Sequence, residues 1–179
     1  YNPILDPSGR PYKVVKYASD GTIAKLRSAD FYAQIAAIGK AQAVIEFSID
    51  GKILNANDNF CTAVGYRLDE IKGQHHAMFV TPEERNSAEY AAFWVKLGRG
   101  EFDAGQYKRI GKGGREVWIQ ASYNPILDPS GKPFKVVKYA TDITDAKLKA
   151  ADYAGQLNAI GKAQAVIEFS LDGKITAAN

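Results

Sequence analysis

Histidine occurs only twice in the 179 residues, as the adjacent pair His75-His76. An imidazole titrates near neutrality and can act as a base, a proton carrier or a metal ligand. Two neighbours on a short turn point in different directions, so at most one of them faces an interior. No second histidine is placed to orient the first for acid–base work. No Ser/His/Asp set, close carboxylate pair or metal-ligand cluster stands beside them, so enzymatic activity is not expected. The plain alternative is a histidine that caps a helix or bonds to backbone. Gly111-Lys112-Gly113-Gly114 lacks the phosphate-loop pattern and reads as a hairpin turn. Cys61 is the single cysteine. It excludes an internal disulfide, suits a reducing cytoplasm and fills a core position on a helix. Trp94 shares helical spacing with Tyr90, Phe93 and Leu97, the pattern of a packed aromatic cluster.

The elements that must hold these residues follow from period and turn chemistry. Ala43–Ile49 alternates as a strand, and Asp50-Gly51 turns it into Lys52–Asn55. Asn57 and Asp58 cap a short helix through Phe60, Ala63 and Val64, which Gly65 ends. Helical turns follow at Leu68–Ile71 and His75–Phe79. Thr81-Pro82-Glu83-Glu84 predicts the start of one helix that carries Tyr90, Phe93, Trp94 and Leu97 and ends near Gly98 or Gly100. Three strands come next, Glu101–Ile110, Glu116–Leu127 and Pro133–Thr141, with Pro125 expected to end the pairing of the middle one. In that strand Val117, Ile119 and Ala121 share one face, and Trp118 and Gln120 the other. The order is an antiparallel sheet with short helices on one face, an α+β layout.

Residues 1–57 return as residues 123–179, about three quarters of them identical. A repeat of that length marks an array of modules. It divides the chain into the last strands of one module (1–21), a linker helix (22–41), a complete module (42–144), a second linker helix (145–163) and the first strands of a third module (164–179). The net charge of +3 with dispersed lysines gives no reason to expect nucleic acid. No apolar run approaches a membrane span, and no signal peptide is visible.

The segments AVIEFSIDGKILNANDNF, GYRLDEIKGQHHAMFVTPEE and KGGREVWIQASYNPI, and the strand closing on Asp142-Ile143-Thr144, resemble the PAS domain family. The likeness covers residues 42–144 and both partial repeats, and its nearest look is to tandem PAS modules of bacterial methyl-accepting chemotaxis receptors of the aerotaxis type. The resemblance implies a five-stranded sheet in the order second, first, fifth, fourth, third, with a pocket between sheet and helices lined by Ile119 and Ala121. It also implies a sensor of a small ligand or cofactor, a cytoplasmic location and a downstream receptor signalling domain outside these residues. Heme b is the first cofactor candidate, because heme-binding relatives take an axial iron ligand from the region of His75 and His76; only one of the two would serve. Those relatives carry a Trp on the last strand, where Tyr139 is the nearest aromatic donor here. FAD is second: Trp94 matches a Trp of flavin-binding relatives, but Arg109 stands where they carry Asn. Photochemistry of the LOV type is not expected, since His76 holds the place of the reactive Cys. A cofactor-free relay module is the alternative.

Both linkers repeat apolar positions every fourth and third residue: Ala24, Ser28, Phe31, Ile35 and Ile38, then Ala146, Ala150, Tyr153, Leu157 and Ile160. That spacing predicts either a helix lying on its own sheet or a coiled-coil seam between two copies. The seam would make the protein a dimer and let the linkers carry a signal. Gly21 should loosen the first junction. The two end pieces would complement each other's open sheet edges, within one chain or between two.

Overall fold

The computed structural model describes residues 2–15 and 22–179; the side chain of Ala24 is not among them. The junction at Asp20-Gly21 therefore lies outside the described residues. The chain forms two units, residues 1–38 and 39–179.

In the first unit β1 (Asn2–Leu5) and β2 (Pro11–Val15) make an antiparallel ribbon. Asp6 closes its turn, with Oδ1 accepting from the Ser8 and Arg10 amides at 2.9 Å each. The helix α1 (Thr22–Ala41) follows. Phe31, Ile35 and Ile38 of its apolar seam are all exposed.

The second unit holds the complete module. Its strands are β3 (Ala43–Ser48), β4 (Ile53–Ala56), β5 (Asp103–Ile110), β6 (Glu116–Leu127) and β7 (Pro133–Asp142). They form one antiparallel sheet in the order β4-β3-β7-β6-β5, the order the sequence resemblance implies. Between β4 and β5 come α2 (Asp58–Val64), α3 (Leu68–Ile71), a 3-10 turn at His76–Phe79, α4 (Pro82–Arg85) and α5 (Ala88–Gly98). Alternation sends Ile45 and Phe47, then Val117, Ile119, Ala121 and Tyr123, then Val136 and Ala140, to one face. Phe60, Val64, Ile71, Phe79 and Leu97 come down on them from the helices. Each such side chain contributes about 1.5–3 kcal/mol by leaving water.

Two local expectations change. The helix starting at Thr81 is two helices. Thr81 caps the first, Oγ1 accepting from the Glu84 amide at 3.2 Å, but Ser87 caps a second, accepting from the Tyr90 amide at 3.1 Å. A competing cap inside a helical stretch offers the backbone another way to satisfy its donors, and the helix breaks there. Pro125 does not end the pairing of β6. It lies opposite Val136 and the ladder runs on to Leu127; only pairing with β5 stops, at Tyr123. The missing amide therefore falls on the open edge.

Asn57 does more than cap α2. Its Oδ1 accepts from the amides of Phe60 at 3.0 Å and Val44 at 2.9 Å, while its Nδ2 donates to the carbonyls of Gly39 and Gln42 at 2.8 Å each. One side chain ties the end of α1 to β3, β4 and α2.

Beyond the sheet, α6 (Thr144–Ala163) leads to a last ribbon, β8 (Ile167–Phe169) with β9 (Ile175–Ala178). This ribbon copies the register of β3–β4, bulge included, as β1–β2 copies β6–β7. Asn179 copies Asn57: its Oδ1 accepts from the Val166 amide at 2.8 Å, and its Nδ2 donates to the carbonyls of Gln164, at 2.8 Å, and Gly161. Both end ribbons stand as two-stranded sheets of their own.

Candidate functional site

The sheet interior is apolar except along one line of side chains and at Lys138. His76 is wholly buried at the head of the 3-10 turn, among Phe47, Phe93, Trp94 and Tyr123. Its Nδ1 lies 2.9 Å from the Tyr90 hydroxyl of α5, and its Nε2 lies 3.1 Å from the Tyr123 hydroxyl of β6. Arg109, on the inner face of β5, donates from Nη2 to the same Tyr123 oxygen at 3.2 Å and from Nη1 to Glu84 Oε1 at 3.1 Å. Tyr123 thus accepts from Arg109, and its own proton is free to go to His76 Nε2. Nδ1 then carries the ring hydrogen and donates to Tyr90. The chain runs Glu84, Arg109, Tyr123, His76, Tyr90.

Burial sets its electrostatics. Desolvation, then the nearby Arg109 and Lys138 cations, hold the His76 pKa well below the usual imidazole value. Burial also pushes the Tyr90 and Tyr123 phenols up. For Arg109, burial works against the charge, but Tyr123 and Glu84 outweigh it and the guanidinium stays cationic.

Lys138, only 1% exposed, sits on the inner face of β7 between Val136 and Ala140. Its ammonium lies 4.7 Å from the Tyr123 ring centre and 5.6 Å from that of Phe60. Burial, then Arg109, lowers its pKa far below the ordinary lysine value. An uncompensated amine in an apolar interior has that effect.

The other sequence candidates divide. Ile119 and Ala121 do line the interior. Trp94 packs against Phe47, His75, His76 and Phe93, and its Nε1 is buried without a well-formed hydrogen bond. Tyr139 alternates to the outer face, because Lys138 takes the inward position beside it. His75 is exposed and serves backbone: Nδ1 accepts from the Ala77 amide at 3.0 Å and Nε2 donates to the Asp50 carbonyl at 2.8 Å. Gly51 permits that contact; its φ is +84°, and a Cβ there would come within 2.5 Å of His75 Nε2. Cys61 is half-buried beside the core, with its thiol pKa raised by burial.

An axial heme ligand needs an imidazole nitrogen with a free lone pair. In this arrangement both nitrogens of each histidine are engaged, and aromatic side chains fill the space between sheet and helices. The residues do not fit heme or a flavin ring as they stand. A cleft of about 190 Å³ lies at the outer end of the polar chain. Tyr90, Phe93, Tyr107 and the buried Arg109 line it together with Glu84, Ser87 and Glu89.

Trp118 occupies the outer face, where it meets the exit helix. Its amide donates to Thr144 Oγ1 at 2.9 Å, and its carbonyl accepts from the Ile143 amide at 2.8 Å. Lys147 lies 5.1 Å over its ring. Asp142 completes the joint by accepting from the Thr144 amide and hydroxyl.

A five-stranded antiparallel sheet that encloses an interior with short helices, and ends directly in a fastened helix, defines a class of small α+β domains. A family model described as PAS fold matches residues 53–140, and the complete module is a PAS domain. The biofilm dispersion protein BdlA of Pseudomonas aeruginosa is 43% identical over 81% of this chain, which spans 35% of that protein. The aerotaxis receptor of Escherichia coli is 33% identical over 56% of this chain, which spans 19% of the receptor. Among solved structures, a PAS domain from Colwellia psychrerythraea superposes with a TM-score of 0.57 at 20% identity, over 65% of this chain and 99% of its own. The module is thus related in sequence to receptors of the aerotaxis type.

Proposed function

We propose that the chain is the sensory section of a bacterial chemoreceptor, in the cytoplasm, whose PAS interior reads a small ligand and hands the change to α6. The joint at Trp118, Asp142 and Thr144 carries this reading. It fixes the first turn of the exit helix to the sheet that bounds the interior, so a shift of β6 moves the helix. The seams support a dimer: Tyr153, Leu157 and Ile160 stay exposed along α6, unlike a helix that lies on its own sheet. The open edges of the end ribbons offer a second contact between copies. The module acts by binding and relay rather than by catalysis, and its output domain lies outside these residues.

A chimera tests the reading: this chain replaces the matching part of the Escherichia coli aerotaxis receptor, and swarming is scored. Thr144→Val should uncouple the response while the receptor is still made. A chimera locked in one output, or a Thr144→Val chimera that responds normally, would count against it.

The filled interior favours a second version, a relay module without a resident cofactor. Heme b would require His76 to give up the Tyr123 hydroxyl, and FAD would require the aromatic cluster at Trp94 to part. An absorption spectrum of the purified protein separates the cases. A colourless protein supports the cofactor-free version. A Soret band lost in His76→Ala, or a flavin band near 450 nm, overturns it.

A further inference from the structure

We propose that Arg109 anchors a binding site for a small planar carboxylate, of the size of benzoate, that competes with Glu84 for the guanidinium. This deepens the sensory reading and rests on it for its purpose. Arg109 is 4% exposed, its guanidinium lies 4.9 Å over the Tyr107 ring, and its donors are not all used. Nη1 reaches one oxygen of Glu84 and the Lys108 carbonyl, Nη2 reaches the Tyr123 hydroxyl, and the buried Nε has no partner. A guanidinium is best satisfied by two parallel bonds to one carboxylate. Glu84 supplies a single 3.1 Å bond and leaves that fork incomplete.

The cleft over Arg109 has the matching shape. Its volume of about 190 Å³ gives room for one small ring that carries a carboxylate. Tyr90, Phe93 and Tyr107 give it flat apolar walls, the surface a planar ring packs on. Arg109 is the buried cation at the cleft, and among the described residues Glu84 is the carboxylate bonded to it. A carboxylate that displaced Glu84 would keep that charge paired. Glu84 can yield its place, because α4 is only four residues long and its chain breaks at Asn86–Ser87 before α5.

A carboxylate seated there would touch the polar chain at two points. It would share Arg109 with the Tyr123 hydroxyl, and its ring would lie against Tyr90. Both hydroxyls bond to His76, so the occupied and empty cleft would differ at the centre of the domain and at β6, the strand that holds α6.

The test is a titration of the purified full chain with benzoate, read by two-dimensional amide NMR, with benzamide as the neutral isostere. Saturable shifts at residues 84–90 and 107–109 are expected from benzoate, with benzamide at least about tenfold weaker. Arg109→Lys keeps the charge but loses the fork and should weaken benzoate about tenfold. Glu84→Gln removes the internal competitor and should tighten it several-fold. The site is refuted by absence of saturable benzoate shifts in the folded protein, by equal benzamide binding, or by weaker benzoate binding in Glu84→Gln. Because Glu84 is at the surface, that variant decides the matter even if Arg109→Lys fails to fold. Benzoate binding beside a dead chimera sinks the sensory reading alone. A working chimera beside no benzoate binding sinks this site alone.

Discussion

Between Val136 and Ala140, Lys138 points an ammonium into the interior with two aromatic rings for company and no carboxylate in contact. Rings recover part of the lost hydration, worth about 2 kcal/mol when desolvated, but not all of it. Lys138→Met keeps the length of the side chain and removes the charge. It should stabilise the domain by about 1–3 kcal/mol, seen as a higher denaturation midpoint in urea. The pH dependence has a fixed sign. A lysine whose folded pKa is lowered is protonated more fully in the unfolded chain, so stability rises with pH up to the unfolded value of about 10.4. His76, also lowered, adds stability above about pH 6.5 that is lost as pH falls toward its folded value. Lys138→Met should therefore flatten the rise of the midpoint between about pH 8 and 10 and leave the fall below about pH 6.5 in place. Lys138 was not legible in the sequence: Val136 and Val137 are both apolar, so alternation alone leaves open which of Lys138 and Tyr139 faces inward. The chain from Glu84 to Tyr90 was not legible either, because its members lie on five separate segments and nothing in their spacing along the sequence joins them.

Among the elements, strands were the most legible, since alternation and glycine turns fix both their phase and their ends. The break between α4 and α5 was hidden because two capping signals, at Thr81 and Ser87, lie six positions apart, and each alone would start a good helix. Asn57 was seen only as a cap; its bonds to Gly39 and Gln42 join partners far apart in sequence. Asn57→Asp isolates that second role. It keeps the acceptor for Phe60 and Val44 but sets a carboxylate against two carbonyl oxygens. A loss of about 1–3 kcal/mol is expected in thermal or urea unfolding. If the asparagine were only a helix cap, the substitution would be close to neutral.

At the scale of the whole molecule, the same sequence builds the same local structure wherever it recurs: ribbon registers, their bulges, the aspartate turns and the asparagine ties all come back in the second copy. For α6 this means that both ends are pinned, the start by Trp118 and Thr144, the finish by Asn179. Its 20 residues form a rod about 30 Å long with no free swivel at either end. On the proposed relay, such a rod would act as a drive shaft whose angular phase is set by residue count. One alanine inserted after Gly155 would turn the far ribbon by about 100° relative to the sheet, while seven inserted residues would return it to within about 20° of its first setting. A receptor chimera carrying the single insertion should lose or invert its output, and the seven-residue version should recover it. Equal outputs from both would show that the linker passes on tension or proximity instead of torque.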